Sequence, residues 1–172
     1  MAREFEVNEN GVTAEGFKVL HPKMKKAMRT GTLIYTLFFL VVALLIGLLG
    51  KEALGEYYWP LLILFIAIVL LLCLDLVFVP IIFYARYRYN VGEDRIDVLR
   101  GVFIIKHVVV PVERIHQVEV TRGPINNLFG LANVAITTAG GVASIEYLEL
   151  QEAEGIADKL NEKVIRILKE RE

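Results

Sequence analysis

Two long apolar runs dominate the first half of the chain. The first, residues 33–49, holds seventeen residues without a charge, and the second, residues 61–83, holds twenty-three with one charge. A helix rises about 1.5 Å per residue and a bilayer core is about 30 Å thick, so roughly 20 residues cross it. A soluble core helix shows a polar face, and neither run has one. The pattern therefore predicts transmembrane helices at residues 30–50 and 57–85 rather than two buried core helices.

The charges around these runs predict their orientation. The connection at residues 51–56 is short, carries one basic residue and is followed by a Tyr-Tyr-Trp sequence that fits the aromatic belt of a membrane surface. The six basic residues that flank the predicted helices are Lys23, Lys25, Lys26, Arg29, Arg86 and Arg88. Because basic residues stay on the cytoplasmic side, we expect a multi-pass cell-membrane protein. Its helices form a hairpin with an extracytoplasmic loop, and both termini, including residues 1–29, are cytoplasmic. The same six side chains are candidate lipid-headgroup contacts, with a role as topology signals alone left open.

After residue 85 the pattern changes to short alternating runs separated by turn formers. The strand-like runs are RYRYNV, RIDVLRG, VFIIKHVVV, RIHQVEVTR, NVAITTA and SIEYLEL. Ile115 and Val118 are three residues apart, which places them on opposite faces of the fourth strand unless a bulge intervenes. Six strands in residues 86–172 predict a cytoplasmic bent sheet or small barrel.

The period lengthens again at the end of the chain, where residues 152–171 predict an amphipathic helix. Its apolar face consists of Ile156, Leu160, Val164, Ile167 and Leu168. We expect this helix to cover an open end of the barrel, because a strand-rich segment followed by one helix buries its apolar faces in that way.

The stretch GPINNLFGLANV, residues 123–134, separates two of the strands. We expect Leu128 and Phe129 to dock on the barrel, and Gly130 to adopt a backbone angle that a Cβ would forbid. A short helical turn is the alternative conformation. The candidate interaction loop consists of Asn126, Asn127, Leu128 and Phe129, and a purely structural role for it stays open.

The chain offers little that points to catalysis. Its net charge is −1, from 19 basic and 20 acidic residues, so no nucleic-acid partner is indicated. Cys73 is the single cysteine, and the histidines at 21, 107 and 116 have no companions at metal-ligand spacing. Ser144 is the only serine, and no nucleophile elbow or phosphate-binding glycine motif is present. We therefore expect no enzyme activity, no catalytic residue, no cofactor, no metal and no small-molecule substrate.

One acid, Asp75, interrupts the second apolar run. The nineteen Leu, Ile, Val and Phe residues of that run contribute about −6 to −11 kcal/mol to insertion, against about +3 kcal/mol for one aspartate. The acid is nevertheless a candidate functional site within the membrane, together with Pro80, which loosens the local backbone bonding. The alternative is a packing role, with Asp75 carrying a proton or bonded to Thr36 or Tyr35 across the hairpin. A second acid, as an aspartyl protease needs, is absent from both runs.

Two predicted membrane helices followed by VPVERIHQVEVTRGPINNLFGLANVAITTAGG resemble the membrane-flanked bacterial pleckstrin-homology-like (PH-like) domain family, the YdbS-like proteins. The resemblance covers about residues 20–172. Its most specific positions are Pro111, Arg114, Ile115, Val118, Val120, Gly123, Pro124, residues 128–130 and residues 137–140. It implies a cytoplasmic PH-like barrel on a helical hairpin, with no established enzymatic activity. The basic residues of the first strands are interleaved with acids, unlike those of lipid-binding members of the fold.

Two functions are compatible with these observations. The preferred hypothesis is a membrane-anchored scaffold that assembles with itself, as a homo-oligomer, or with a partner membrane protein, in contact with membrane lipids. The alternative, which the family resemblance suggests, is an accessory or core subunit of a transport or export system, such as one that confers antimicrobial-peptide resistance. In that case Asp75 would take part in the transport.

Overall fold

A computed structural model describes Thr13 and residues 16–170 of the chain. The chain divides into two compact units. One is Lys25–Ile81, and the other combines the residues before and after it. The first unit is helical, and the second contains the sheets.

The apolar half of the chain is helical throughout. Helix α1 spans Lys23–Leu54, a single 3-10 turn spans Gly55–Tyr57, and helix α2 spans Tyr58–Arg86. The whole segment Lys23–Arg86, 64 residues, is long and apolar enough to cross a membrane by its length and composition. Its most apolar part is not buried by the rest of the protein, so its side chains are available to lipid.

Within the helical unit, α1 and α2 contact each other at several levels. The rings of Phe39 and Phe65 lie 6.0 Å apart, and the hydroxyl of Tyr58 donates a hydrogen bond to the carbonyl of Gly47 at 3.2 Å. Gly50 is buried, and a Cβ there would lie 3.0 Å from the side chain of Leu54. The absence of a side chain at Gly50 therefore leaves room for the side chain of Leu54 near the turn.

The second unit contains six strands in two antiparallel sheets. The first sheet has the order β1 (Arg88–Val91), β2 (Arg95–Arg100), β3 (Lys106–Pro111). The second has the order β4 (Ile115–Thr121), β5 (Leu131–Thr138), β6 (Gly141–Glu149). In the described part of the chain these sheets do not close, so of the two predicted alternatives, a bent sheet or a small barrel, the barrel is wrong. Pro111 has no amide hydrogen to continue a ladder, and the 3-10 turn Val112–Arg114 that follows it leads the chain out of the first sheet.

Two details of the predicted strands have opposite outcomes. The register of β4 shifts between Ile115 and Gln117, so a bulge, the alternative left open for this strand, is present. The third strand, by contrast, starts at Lys106, so the apolar residues 102–105 are not part of it. Gly101 begins this loop with a φ of +144°, and a turn there ends the ladder although the following residues favour strands.

A terminal helix, α4, spans Leu150–Glu170. It contacts all three strands of the second sheet and the 3-10 turn that precedes β4. Leu160 is completely buried, as expected, but Ala153 and Ala157 form the rest of the closest contact. Three other predicted face residues, Ile156, Val164 and Ile167, are half-buried, and the side chain of Leu168 lies outside the described residues. The helix therefore packs closely through its small residues.

The segment before α1 belongs to the sheet-containing unit. Lys18 forms a β-bridge with Tyr89, and Leu20 is buried, as is Met24 in the first turn of α1. One carboxylate oxygen of Glu152 accepts hydrogen bonds from the amine of Lys18 at 3.0 Å and from the hydroxyl of Tyr89 at 2.8 Å. This carboxylate ties the N-terminal segment, β1 and α4 together, a contact that no local pattern predicts.

Candidate functional site

A cluster of polar side chains lies where α2 leads into β1. We call it the junction cluster; it consists of Tyr87, Arg100, Ser144, Glu146 and Tyr147. Tyr87 has no exposed surface, and its hydroxyl accepts a hydrogen bond from the amide of Glu146 at 3.0 Å and donates one to the carbonyl of Ser144 at 3.4 Å. The guanidinium of Arg100 lies 3.0 Å from the carboxylate of Glu146 and 3.2 Å from the hydroxyl of Ser144. The cluster therefore connects the first sheet to β6.

The backbone of β6 is irregular within this cluster. Tyr147 has a φ of 56°, and the ladder between β5 and β6 shifts register between Ala132 and Val134. A positive φ is costly for a bulky residue and persists only where the surroundings fix it. Here the amide of Tyr147 donates to the side-chain oxygen of Asn133 at 2.9 Å, and the ring packs edge-on against Phe83 at 6.2 Å. Side chains thus replace the strand partners that the bulge removes.

Burial determines the protonation of these tyrosines. It raises the pKa of Tyr87 well above the ordinary 10.0. Burial also raises the pKa of Tyr89, with the nearby carboxylate of Glu152 adding to the shift. The pKa of Tyr147 is raised by burial and then by Glu146. The hydroxyls therefore stay protonated at neutral pH, and their role is to form structural hydrogen bonds rather than to act as bases or nucleophiles.

The loop predicted from GPINNLFGLANV contains a short helix, α3 (Pro124–Leu128), which confirms the helical alternative. Gly130 has a φ of 68°, as expected, and Phe129 is half-buried. Leu128, however, is 74% exposed, so the expectation that it docks on the sheet is wrong. The turn that follows α3 directs only the next ring inward.

The two asparagines of this loop have different surroundings. The side-chain amide of Asn126 donates to Asn133 at 3.2 Å and so supports the same oxygen that holds the bulge of β6. Asn127 is exposed. Of the four residues of the candidate interaction loop, Asn127 and Leu128 are therefore the ones most accessible to a partner.

The basic residues that flank the helices differ in their exposure to solvent. Arg88 is 4% exposed, and its guanidinium donates to the carbonyls of Tyr84 at 3.2 Å and Tyr87 at 2.7 Å, which caps the C-terminus of α2. Burial lowers its pKa. Arg88 is therefore not retained as a candidate lipid-headgroup contact. Lys26 and Arg29 are exposed, as that role needs.

Two of the remaining flanking residues, Lys23 and Arg86, contact other protein groups. The amine of Lys23 lies 3.8 Å from the carboxylate of Glu149, and Lys25 is half-buried. The guanidinium of Arg86 donates to the backbone carbonyl of Val102. These contacts do not test a lipid role for the three residues.

Asp75 has a different partner from the expected ones. The hydroxyl of Thr32 donates to its carboxylate at 3.4 Å. Thr36 instead donates to the carbonyl of Thr32 within its own helix at 2.8 Å, and Tyr35 is 63% exposed. The expected contacts with Thr36 or Tyr35 are therefore replaced by a contact one helical turn earlier. Pro80 is buried in α2, where it supplies no amide hydrogen to the backbone close to Asp75.

The other candidate residues form small hydrogen-bonded groups, one of them around the buried carboxylate of Asp97. The described residues contain no group of three or more His, Cys, Asp and Glu side chains that could hold a metal ion. His107 lies 2.9 Å from the carboxylate of Asp97, which also accepts from Arg95 at 3.0 Å. Ser144 belongs to the junction cluster and bonds to the carboxylate of Glu146 at 3.1 Å.

A slot of about 610 Å³ opens beside β3 and the turn between β5 and β6. We call it the edge slot; it is lined by residues 108–111, 113, 114, 116 and 138–143. Val109 is 45% exposed and Val142 is 66% exposed. Within the described residues, β3 pairs only with β2 and β6 only with β5, so each strand has an unpaired edge. Such edges readily accept another chain.

No motif marked the junction cluster or the edge slot in the sequence. Tyr87 and Tyr89 alternate in RYRYNV, which indicates a common face but not a hydrogen-bonding role. Asn133 occupies a position that reads as an ordinary strand residue. The only local signal for the slot was the glycine pair Gly140-Gly141, which marks a turn.

Comparison with known proteins identifies the family. The Bacterial PH domain family matches residues 32–164. Transmembrane protein YdbS of Bacillus subtilis is 36% identical over 83 residues, which are 48% of this chain and 52% of YdbS. Transmembrane protein YdbT of the same organism is 28% identical over 92 residues, which are 51% of this chain and 19% of YdbT. The matches thus span about half the length of YdbS and about a fifth of YdbT. No solved structure matches the chain.

The family match extends over well more than half of the chain, from α1 to α4. Both relatives are named transmembrane proteins, and the helical segment Lys23–Arg86 has the length and apolarity to cross a membrane. Together these findings indicate a membrane protein. The matching family is one of PH-like domains and is not an enzyme family. The chain is therefore a YdbS-like member of the bacterial PH domain family.

Proposed function

We propose that the protein is a membrane-anchored scaffold without catalytic activity. Helices α1 and α2 span the cell membrane as a hairpin, both termini are cytoplasmic, and the PH domain assembles with a second copy or with another membrane protein. The exposed apolar surface of the helices and the exposed basic residues Lys26 and Arg29 beside the predicted span support this arrangement.

The edge slot is the observation that carries the proposal. A slot between unpaired strand edges accepts an extended segment of another chain, because backbone N–H and C=O groups provide affinity and side-chain pockets provide specificity. The apolar side chains of Val109 and Val142 are exposed there, where such a segment would cover them. Binding of this kind requires backbone edges and apolar side chains, and it does not require catalytic residues.

Photocrosslinking in native membranes tests this role. A photoreactive amino acid at Val142 should give crosslinked species, whereas the same amino acid at Asp158, on the exposed face of α4, should give none. Crosslinks to the same chain indicate a homo-oligomer, and crosslinks to another protein identify the partner. A strict monomer in mild detergent, with no crosslink from Val142 in membranes, would contradict the proposal.

The topology has its own test. In a Cys73→Ser background, a cysteine placed at Glu52 should react with an impermeant thiol reagent in intact cells. A cysteine placed at Asp158 should react only after the cells are opened. The reverse labelling pattern would show that the orientation is wrong.

A second candidate function, a subunit of a transport or export system, is favoured by the contact between Asp75 and Thr32. An acid within an apolar helix pair is expensive and commonly lies on a substrate or proton path. Deletion of the protein should then change sensitivity to a membrane-active peptide, and Asp75→Asn should reproduce the deletion while the protein still inserts. Thr32→Val, which removes the hydrogen-bond donor but keeps the acid, is the matched variant. If Asp75→Asn is silent while deletion has an effect, the scaffold is the better account.

A further inference from the structure

The loop between β2 and β3, residues 101–105, presents a contiguous apolar surface. We call it the β2–β3 loop. Phe103 is 91% exposed, Ile104 is 74% exposed and Ile105 is 42% exposed. Single exposed apolar side chains are ordinary, but three consecutive ones including a phenylalanine mark a contact surface. Core packing does not account for these residues.

The backbone conformation at Gly101 holds the β2–β3 loop outside the sheet. Gly101 has a φ of +144°, and a Cβ on it would lie only 1.9 Å from the carbonyl oxygen of Ile104. Only glycine permits this close approach of the backbone to itself. The tight turn ends the ladder before Lys106, so Phe103 and Ile104 project outside the sheet.

The loop is attached to the end of α2. The guanidinium of Arg86 donates to the carbonyl of Val102, the residue before Phe103. Arg86 ends α2 and follows Phe83, the last residue of the apolar run, by three residues. At about 1.5 Å of rise per residue, this is about 4.5 Å along the helix axis. If α2 spans the membrane, the loop therefore begins at the membrane–water interface.

Charge divides the first sheet along its strands. Glu93 and Asp94 lie in the exposed turn between β1 and β2, at the other end of β2 from the apolar loop. The six residues of β2 separate the two turns by about 20 Å, because a strand rises about 3.3 Å per residue. Lys106 lies directly after the apolar loop and is exposed. The acidic end is thus remote from the helix end, and the apolar and basic end is next to it.

We propose that the β2–β3 loop inserts Phe103 and Ile104 into the cytoplasmic leaflet, with Lys106 at the level of anionic headgroups. The inference rests on the proposed span of α2. It gives the PH domain an attachment to lipid that is separate from the helices. A lipid bilayer is the occupant that fits, because the loop is held at the end of a helix whose apolar run stops three residues earlier.

Tryptophan fluorescence of the full chain tests the insertion. The protein carrying Phe103→Trp and Trp59→Phe is placed in vesicles of phosphatidylethanolamine and phosphatidylglycerol, with or without bromine on the acyl chains. We expect blue-shifted emission, loss of intensity with the brominated lipids and protection from aqueous iodide. Phe103 is 91% exposed, so this substitution disturbs no packing. Glu93→Trp in the same background is the matched control and should be quenched by iodide alone.

Fluorescence of the unmodified chain tests the membrane span of α2 separately from the insertion of the β2–β3 loop. Its single tryptophan, Trp59, lies at the start of α2 and reports whether the helix is in the bilayer. If bromine quenches Trp59 but not the tryptophan of Phe103→Trp, the loop does not insert and the span stands. Blue-shifted emission without bromine quenching means that protein covers the loop, which also overturns the inference. If bromine does not quench Trp59, the proposed span fails and the insertion fails with it.

Discussion

The substitution Tyr87→Phe removes one buried hydroxyl from the junction cluster and leaves the ring in place. That hydroxyl is the acceptor for the amide of Glu146, at 3.0 Å, in the part of β6 where the bulge has removed regular strand pairing. The ring packs against Phe83 at 5.2 Å, and this contact survives the substitution. The variant therefore isolates the contribution of a single hydrogen-bond acceptor.

The magnitude follows from the amide that is left behind. A buried donor without an acceptor costs about 1–3 kcal/mol, since water cannot reach it to compensate. Tyr87 has no exposed surface, so solvent does not reach the position of its hydroxyl. The weaker contact with the carbonyl of Ser144, at 3.4 Å, adds little. We expect a loss of about 1–3 kcal/mol in the free energy of unfolding, a measurable part of the roughly 5–15 kcal/mol of a typical domain.

Urea unfolding of the full chain in mild detergent, followed by near-ultraviolet circular dichroism, measures this loss. The matched control is Tyr57→Phe, which removes the same hydroxyl from a side chain that is 73% exposed and should change stability by less than about 0.5 kcal/mol. Equal stability of the two variants would refute the reasoning. It would mean that the amide of Glu146 does not depend on Tyr87.

Three further predictions concern other parts of the sheet-containing unit. Leu160→Ala should lower the free energy of unfolding by about 2–5 kcal/mol, and Lys159→Ala on the exposed face of α4 by less than about 0.5 kcal/mol, in the same urea titration. Gly101→Ala should cost about 1–3 kcal/mol and speed proteolysis of the β2–β3 loop, because the added Cβ meets the carbonyl oxygen of Ile104. The raised pKa of Tyr89 means that the folded protein keeps a proton that the unfolded chain loses near pH 10.0. Stability is then full below about pH 10 and falls as the pH rises above it, and Tyr89→Phe should flatten this fall in unfolding measurements from about pH 9 to 11.

Local patterns were sufficient to predict the element types. The long apolar runs, the alternating strands and the final amphipathic helix each follow from neighbours in the sequence. For β4 the spacing of Ile115 and Val118 left two outcomes open, opposite faces or a bulge, and the structure contains the bulge. These features depend on periodicity alone.

Features that depend on distant residues were not predicted. The apolar residues 102–105 have the composition of a strand, but a turn at Gly101 and the contact of Val102 with Arg86 hold them outside the sheet. The bulge of β6 depends on Asn133 of β5 and on Tyr87, which lies between α2 and β1. Exposure of Leu128 likewise depends on the direction in which α3 ends. Side-chain partners across the fold decide these cases.

The placement of the junction cluster gives the edge slot a physical connection to the end of α2. Residues 141–143 of β6 line the slot, and Ser144 and Glu146, the next residues on that strand, bind Tyr87 and Arg100. Tyr87 directly follows the last residue of α2. A segment that binds in the slot and shifts β6 would therefore act on the hydrogen bonds that hold the helix end. Because such coupling is reciprocal, loosening that end with Tyr87→Phe should also reduce crosslinking from Val142. Unchanged crosslinking in a variant that has lost stability would show that the slot and the helix end are independent.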